Sequence, residues 1–418
     1  MNIDKGIPRA VHSAKTPLHI LLTGGRAPAA LEMARILAAS GHRIDIAESI
    51  PHYLCRKSRS VSNSHQVPAP NRNPDLYISA IADIIRQRNI DILIPTCEEI
   101  LWIAQGLPHL ERLCRVLAAP FEQLKGLHSK WSFIKQAESF GLTVPFTQII
   151  HNPDEWKMIC EADEPLLIEG FVLKPVFSRF AEHVQLFGPT VAFTDRLKRL
   201  DPVESPPATY GRPWIIQQYI SGRQLCTYSI AHQGTLVAHA AYQAGYTANR
   251  GACVYFEPFN HSGIMEWVRI FVEKKQFSGQ IAFDFIESSL DGILYPIECN
   301  PRTTSGIHLF SQSDGFEQAL LAPESLLEAV CVQPLSSKAS MLASAMLGFG
   351  LKDVHSWQGI RRWWSHFVAA RDVIWQTRDP YPFIEQVPQM LNTWRVSKAL
   401  RISLTAAMTY DIEWNGEV

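Results

Sequence analysis

Two periods of hydrophobicity alternate along the first part of the chain. Leu18-His19-Ile20-Leu21-Leu22-Thr23 is a short apolar run closed by Gly24-Gly25, the pattern of a buried parallel strand. Leu31, Ala34, Leu37 and Ala38 then recur at helical spacing until Gly41 stops the helix. Arg43–Ala47 reads as a second strand. Tyr77, Ile81, Ile84 and Ile85 share one helical face, and the strand Ile90–Ile94 follows with Pro95 just beyond it. Strands alternating with helices predict a parallel sheet covered by helices, so residues 18–120 read as a small doubly wound α/β domain.

The rhythm changes near residue 121. Ser129–Phe140 reads as a helix ended by Gly141, and Pro145 opens a strand. Phe171–Lys174, Trp214–Tyr219, Leu225–Ala231 and Thr235–Ala241 are rich in β-branched and aromatic residues and are separated by Gly or Pro. Ile264, Trp267, Val268, Phe271 and Val272 form a helical face. Gln280–Ile286 and Ile293–Glu298 are joined at Asp291-Gly292, a hairpin signal. Residues 121–320 therefore read as an antiparallel α+β region. From 321 to 418 the pattern turns helical and carries Trp357, Trp363, Trp364, Trp375 and Trp394. Such an aromatic stripe reads as core or interface, and no chemistry is legible in it.

Composition narrows the function classes. A length of 418 residues suits two or three domains, and 46% hydrophobic with 19% charged residues describes an ordinary globular protein. A formal net charge of −1 supplies no field for nucleic acid or an anionic membrane. The eight cysteines form no CxxC pair and no Cys/His cluster, which argues against structural zinc and a secreted disulfide framework. Residues 1–17 do not read as a signal peptide, and no apolar run approaches the roughly 18–20 residues of a membrane span. A reduced, cytoplasmic protein is expected.

The chemistry concentrates at the predicted hairpin. Asp284 lies on one strand, and Glu298 and Asn300 lie at the end of its partner. Alternation puts Glu298 and Asn300 on one face, and a turn at Asp291-Gly292 pairs Asp284 near Glu298. Three hard oxygen donors converging on a sheet suit magnesium, with positions left for water and phosphate. Arg302 brings a cationic fork beside them. Phe283, Phe285, Ile293, Leu294 and Ile297 embed these strands in a core, where a carboxylate needs a partner. Cys299, between two of the donors, should face the other side and be structural.

Gly279-Gln280-Ile281-Ala282-Phe283-Asp284-Phe285 and Ile297-Glu298-Cys299-Asn300-Pro301-Arg302 resemble the metal-binding strands of the ATP-grasp superfamily. The resemblance implies an ATP-grasp fold with a small lid subdomain at about 145–215 and a helical C-terminal extension. It implies magnesium, or manganese in its place, on Asp284, Glu298 and Asn300, with Arg302 acting on the transferred phosphoryl group. Lys130 matches a lysine that reaches the ATP phosphates, and Lys174 one that contacts the α-phosphate and adenine. Gln217, Gln218, Tyr219 and Ile220 match the adenine-holding hinge, and Gln224 a ribose ligand. Arg250, in Asn249-Arg250-Gly251-Ala252, resembles a substrate-side basic residue.

Three departures stand out. Residues 174–187 lack the glycines usual after this lysine, so Ser178 and Arg179 are expected to serve the phosphates instead. Gln224 stands where an acid is common, and Asp284 where Glu is. Within the superfamily, Thr303-Thr304-Ser305, Asp372-Val373-Ile374 and Asp379-Pro380-Tyr381-Pro382-Phe383 make the chain similar to the mycosporine-glycine synthetase type.

The activity implied is ADP-forming ligation of a small-molecule acid or enol to an amine or amino acid, with homo-oligomerisation left open. A nicotinamide-dependent oxidoreductase would need a complete glycine fingerprint after the first strand, which is absent. An ATP-binding module acting through its tail is the other alternative, motivated by the glycine-poor loop.

Overall fold

The computed structural model describes residues 16–161, 169–179, 183–189, 206–248, 251–352, 354 and 356–416. The first domain holds a parallel five-stranded sheet of β1 (His19–Thr23), β2 (Arg43–Glu48), β3 (Asn63–Gln66), β4 (Ile92–Ile94) and β5 (Arg115–Val116), in spatial order β3-β2-β1-β4-β5. The doubly wound α/β expectation is met. Strand β1 is central, which explains why its run is apolar on both faces. Gly24 follows it at φ +72°, and a Cβ there would stand 2.7 Å from Thr96 Oγ1. This glycine serves a close approach between the loops after β1 and β4.

The helix Pro28–Ala39 is buried almost all round, from Ala29 through Leu37. The pattern shows only one apolar face because Glu32 and Arg35 occupy the other. Both acquire partners: Glu32 accepts from Arg371 and lies against His308, while Arg35 donates to Asp379 and to the carbonyls of Val373 and Ile374. The tail thus folds back onto the first domain, and those two charges become the glue.

Two antiparallel assemblies follow. A small sheet contains β6 (Thr147–Ile150), β7 (Phe171–Pro175), β8 (Gln185–Phe187) and β9 (Trp214–Gln218), in order β6-β9-β7-β8. The large sheet contains β10 (Gly222–His232), β11 (Thr235–Thr247), β12 (Cys253–Pro258), β13 (Gly279–Ser288) and β14 (Leu294–Asn300). Its order is β14-β13-β10-β11-β12, extended by β15 (Ser340–Met341) and β16 (Arg371–Asp372). The tail is therefore not purely helical: it lends two short, mutually parallel strands to the large sheet. Of the tryptophans singled out there, only Trp363 is core, while Trp357, Trp364, Trp375 and Trp394 are exposed. Trp414, further on, is buried against Phe121 and Phe177.

One face of β13 and β14 packs on the helix Ser262–Lys275 through Phe283, Phe285, Cys299, Trp267 and Phe271. The other face looks toward the small sheet. No helix among the described residues is long and apolar enough to cross a membrane.

Candidate active site

Between the two antiparallel sheets and the first domain lies a cavity of about 740 Å³. Its lining includes Lys130, Lys174, Ser178, Arg179, Gln217, Gln218, Tyr219, Ile220, Gln224, Asp284, Glu298, Asn300 and Arg302. Every site residue singled out from the sequence is among them except Arg250, which lies outside the described residues; its neighbours Gly251 and Ala252 line the cavity.

The acidic corner comes from strand register. Asp284 pairs with Glu298 and Ala282 with Asn300 across β13 and β14, with a register shift just after Asp284. Side chains of Asp284, Glu298 and Asn300 share a face because paired and alternate positions point together. Cys299 points the opposite way and is buried in the core, as its position between two donors implies. Burial, and then the charge of Glu298, push the Asp284 carboxyl up. Two carboxylates crowded at a protein wall repel, and a divalent cation relieves that repulsion. Two carboxylates and a carboxamide are hard oxygen donors that fit magnesium. Among the described residues no group of three or more His, Cys, Asp or Glu able to hold a metal occurs, here or elsewhere; the third donor of this corner is the Asn300 carboxamide.

The cationic side is built by three elements. Ser129 caps the helix Lys130–Ser139 by accepting from Ser132 N, which sets Lys130 at the first helical position. Lys130 Nζ donates to the Ser178 carbonyl at 2.9 Å and stands 3.7 Å from Glu298 Oε1. Lys174, on β7, donates to Gln217 Oε1 at 2.8 Å and to the Ile297 carbonyl at 3.1 Å. Burial, and then the nearby Lys130 charge, push the Lys174 ammonium down to about 7. Gln217 is itself held by Thr147, so its side chain orients this lysine, while the chain at Gln218–Ile220 borders the cavity. Ser178 Oγ is buried and has no partner among the described residues, a hydroxyl suited to an incoming phosphate oxygen.

The structure also reveals a residue the sequence reading passed over. Glu98, from the loop after β4, accepts from Arg302 Nε at 2.9 Å and stands 2.8 Å from Arg179 Nε. Burial alone pushes this carboxyl up, but Arg179 and Arg302, with His128 beyond them, reverse the effect and hold it at about 2. Arg302 further donates to Asn300 Oδ1 at 2.8 Å. Arg179 was expected as a direct phosphate fork; here it shares one carboxylate with Arg302. The signal available in sequence was Cys97-Glu98-Glu99, acids at the carboxyl end of a parallel strand, where ligands of such sheets gather. Arg26, Thr96, Thr303 and several tail residues also line the cavity and were not anticipated.

No family model matches this sequence, and no curated protein matches it. Solved structures do. N5-carboxyaminoimidazole synthetase from Staphylococcus aureus, complexed with ADP, is similar over 79% of this chain and 83% of its own, at 14% identity and a TM-score of 0.57. An L-amino acid ligase from Bacillus licheniformis is similar over 70% and 69%, at 13% identity and a TM-score of 0.51. The biotin carboxylase domain of Hydrogenobacter thermophilus 2-oxoglutarate carboxylase, solved with MgADP and bicarbonate, is similar over 70% and 65%, at 13% identity and a TM-score of 0.53. At such identities the likeness is one of fold. The chain has the ATP-grasp fold.

Proposed function

We propose that the protein is a magnesium- and ATP-dependent ligase that phosphorylates a carboxylate or enol oxygen of a small molecule and couples the activated carbon to an amine. The observation that carries this reading is the convergence of Lys130, Lys174 and Arg302 with Asp284, Glu298 and Asn300 on one cavity. The solved neighbours include proteins complexed with ADP or MgADP and a ligase of amino acids, which supports the same class.

Asp284, Glu298 and Asn300 would hold magnesium, which when bound neutralises phosphate charge and orients the leaving group. The Gln218–Ile220 chain, which lines the cavity, would border the adenine, and Gln224 the ribose. Lys174 and Lys130 bind phosphate oxygens, and contact with phosphate restores the Lys174 ammonium that burial disfavours. The acceptor oxygen forms a bond to the γ-phosphorus as the bond to the β-phosphate oxygen breaks. Arg302, held in orientation by Glu98 and Asn300, stabilises charge on the transferred group. The amine nitrogen then attacks the activated carbon, phosphate leaves, and the nitrogen loses its proton. No covalent enzyme nucleophile takes part.

The test is calorimetric titration of Mg-ATP together with amine-dependent ADP release over a panel of acids, enols and amino acids. Glu298→Ala with Asn300→Ala should weaken Mg-ATP by more than about tenfold, a loss above 1.4 kcal/mol, and abolish turnover. Activity surviving in that double variant would overturn the metal assignment. Nucleotide binding without ADP release in any mixture would favour a binding module instead.

A further inference from the structure

Away from the acidic corner, the same cavity is closed by the tail. Gln386, Gln389 and Thr393 of the helix Tyr381–Leu400 line it, as do Met408 and Thr409 just after the short helix Leu404–Ala407. Two atoms on this wall are buried yet meet no hydrogen-bond partner among the described residues: Gln389 Oε1 and Thr409 Oγ1. The Gln389 orientation is fixed by its other end, because Nε2 donates to the Arg26 carbonyl at 3.1 Å and a carbonyl can only accept. Thr409 is 5% exposed, and its backbone is committed to Ala406, Ile412 and Glu413. Buried polar atoms normally find partners, so an unpaired acceptor and an unpaired hydroxyl lining one cavity mark a place where a ligand supplies them.

The charge of this wall narrows the ligand. Gln389 bonds the backbone of Arg26, whose guanidinium is in turn bound by Glu48, Asp411 and the Met408 carbonyl. An acceptor oxygen and a hydroxyl, beside a guanidinium already neutralised twice, suit a neutral donor group. They do not suit a phosphate or a second carboxylate.

We propose that Gln389 and Thr409 form the specificity subsite of the acceptor molecule, binding a hydroxyl or amide N–H on the part remote from the phosphorylated oxygen. The inference rests on the ligase reading, for which the cavity's other end supplies the nucleotide. It assigns the tail a share in choosing the substrate.

The experiment uses the full chain with Mg-AMPPNP and a panel of small carboxylic acids in three matched forms: hydroxylated, deoxy, and phosphorylated on the same hydroxyl. Binding is read by saturation-transfer NMR. The hydroxylated members should bind about tenfold or more tightly than either counterpart, and Thr409→Val or Gln389→Met should erase that preference. Because Thr409→Val removes an unsatisfied hydroxyl at constant shape, the ligand-free thermal midpoint should hold or rise. A fall in that midpoint would assign Thr409 to folding and overturn the subsite. So would a preference for the deoxy or phosphorylated forms, binding of no member, or a preference that survives both substitutions. Mg-AMPPNP titrated alone separates the two readings: intact nucleotide binding without hydroxyl preference overturns only the subsite, whereas absent nucleotide binding overturns both.

Discussion

Glu98→Gln would leave Arg179 and Arg302 facing a neutral amide where water scarcely reaches, since Glu98 is 1% exposed. The carboxyl is held at about 2 against an ordinary 4.5. That gap, at about 1.36 kcal/mol per pH unit, corresponds to about 3 kcal/mol of native-state stability at pH 7. Breaking a buried ion pair from one side costs roughly 3–5 kcal/mol, in line with this. For 418 residues unfolding together, at about 2.1 cal/mol/K per residue, the midpoint should fall by roughly 3–4 °C.

The sign follows from linkage. A carboxyl depressed in the folded state stabilises fully above 4.5 and loses that contribution as pH falls through about 2. The gap between wild type and Glu98→Gln should therefore shrink by about half or more at pH 3. Urea unfolding followed by tryptophan fluorescence at both pH values measures it, with ADP release expected to fall because Arg302 loses its anchor. An unchanged midpoint at pH 7, or a gap equally wide at pH 3, would refute the reasoning.

Two other substitutions test the electrostatics independently. Lys174 is pushed down to about 7 by burial and Lys130, so the unfolded chain holds more protons between about 7 and 10.5 and stability rises with pH across that window. Lys174→Met should raise the ligand-free unfolding free energy at pH 6, by up to about 5 kcal/mol, with the advantage fading toward pH 10.5, while Mg-ATP affinity drops in calorimetry; a lower stability at pH 6 would contradict this. His239, buried on β11 with Nε2 unpaired, is pushed down to about 4 by burial. The native state should lose about 3 kcal/mol as pH falls from 6.5 toward 4, and His239→Leu should flatten that slope in acid unfolding followed by circular dichroism.

What the sequence makes legible follows its periodicities. A period of two and an Asp-Gly turn are enough to bring Asp284 opposite Glu298, because a slip of one residue would turn every apolar side chain of the hairpin to the wrong face. The doubly wound domain is readable for the same reason: β1 and β4 are apolar on both faces. Glu98 and Arg302 are different, lying 204 residues apart, and a charge pair carries no period. Before the fold brings its partner near, Glu98 looks like any acid after a strand. Glu32 and Arg35 mislead in the same way, giving a helix buried from Ala29 through Leu37 the look of a half-exposed one. The tail is least legible. Its exposed tryptophans dominate the pattern, while the residues that reach the cavity, Gln389 and Thr409, are ordinary polar residues.

Arg26 gives the molecule an order of completion. Its guanidinium binds the Met408 carbonyl and Asp411, 382 and 385 residues further along the chain. At a synthesis rate of about 5–20 residues per second, the strands of the large sheet up to Asn300 are made well before the segment that closes the cavity. The wall formed by Met408 and Thr409 is therefore lacking until those residues have been made and have reached Arg26. In the folded chain the same guanidinium also donates to Glu48 and Ser49, so it joins the first βα unit to Asp411. The contact ties the first βα loop to residues 408–411, and the cavity has its full lining only once it is made.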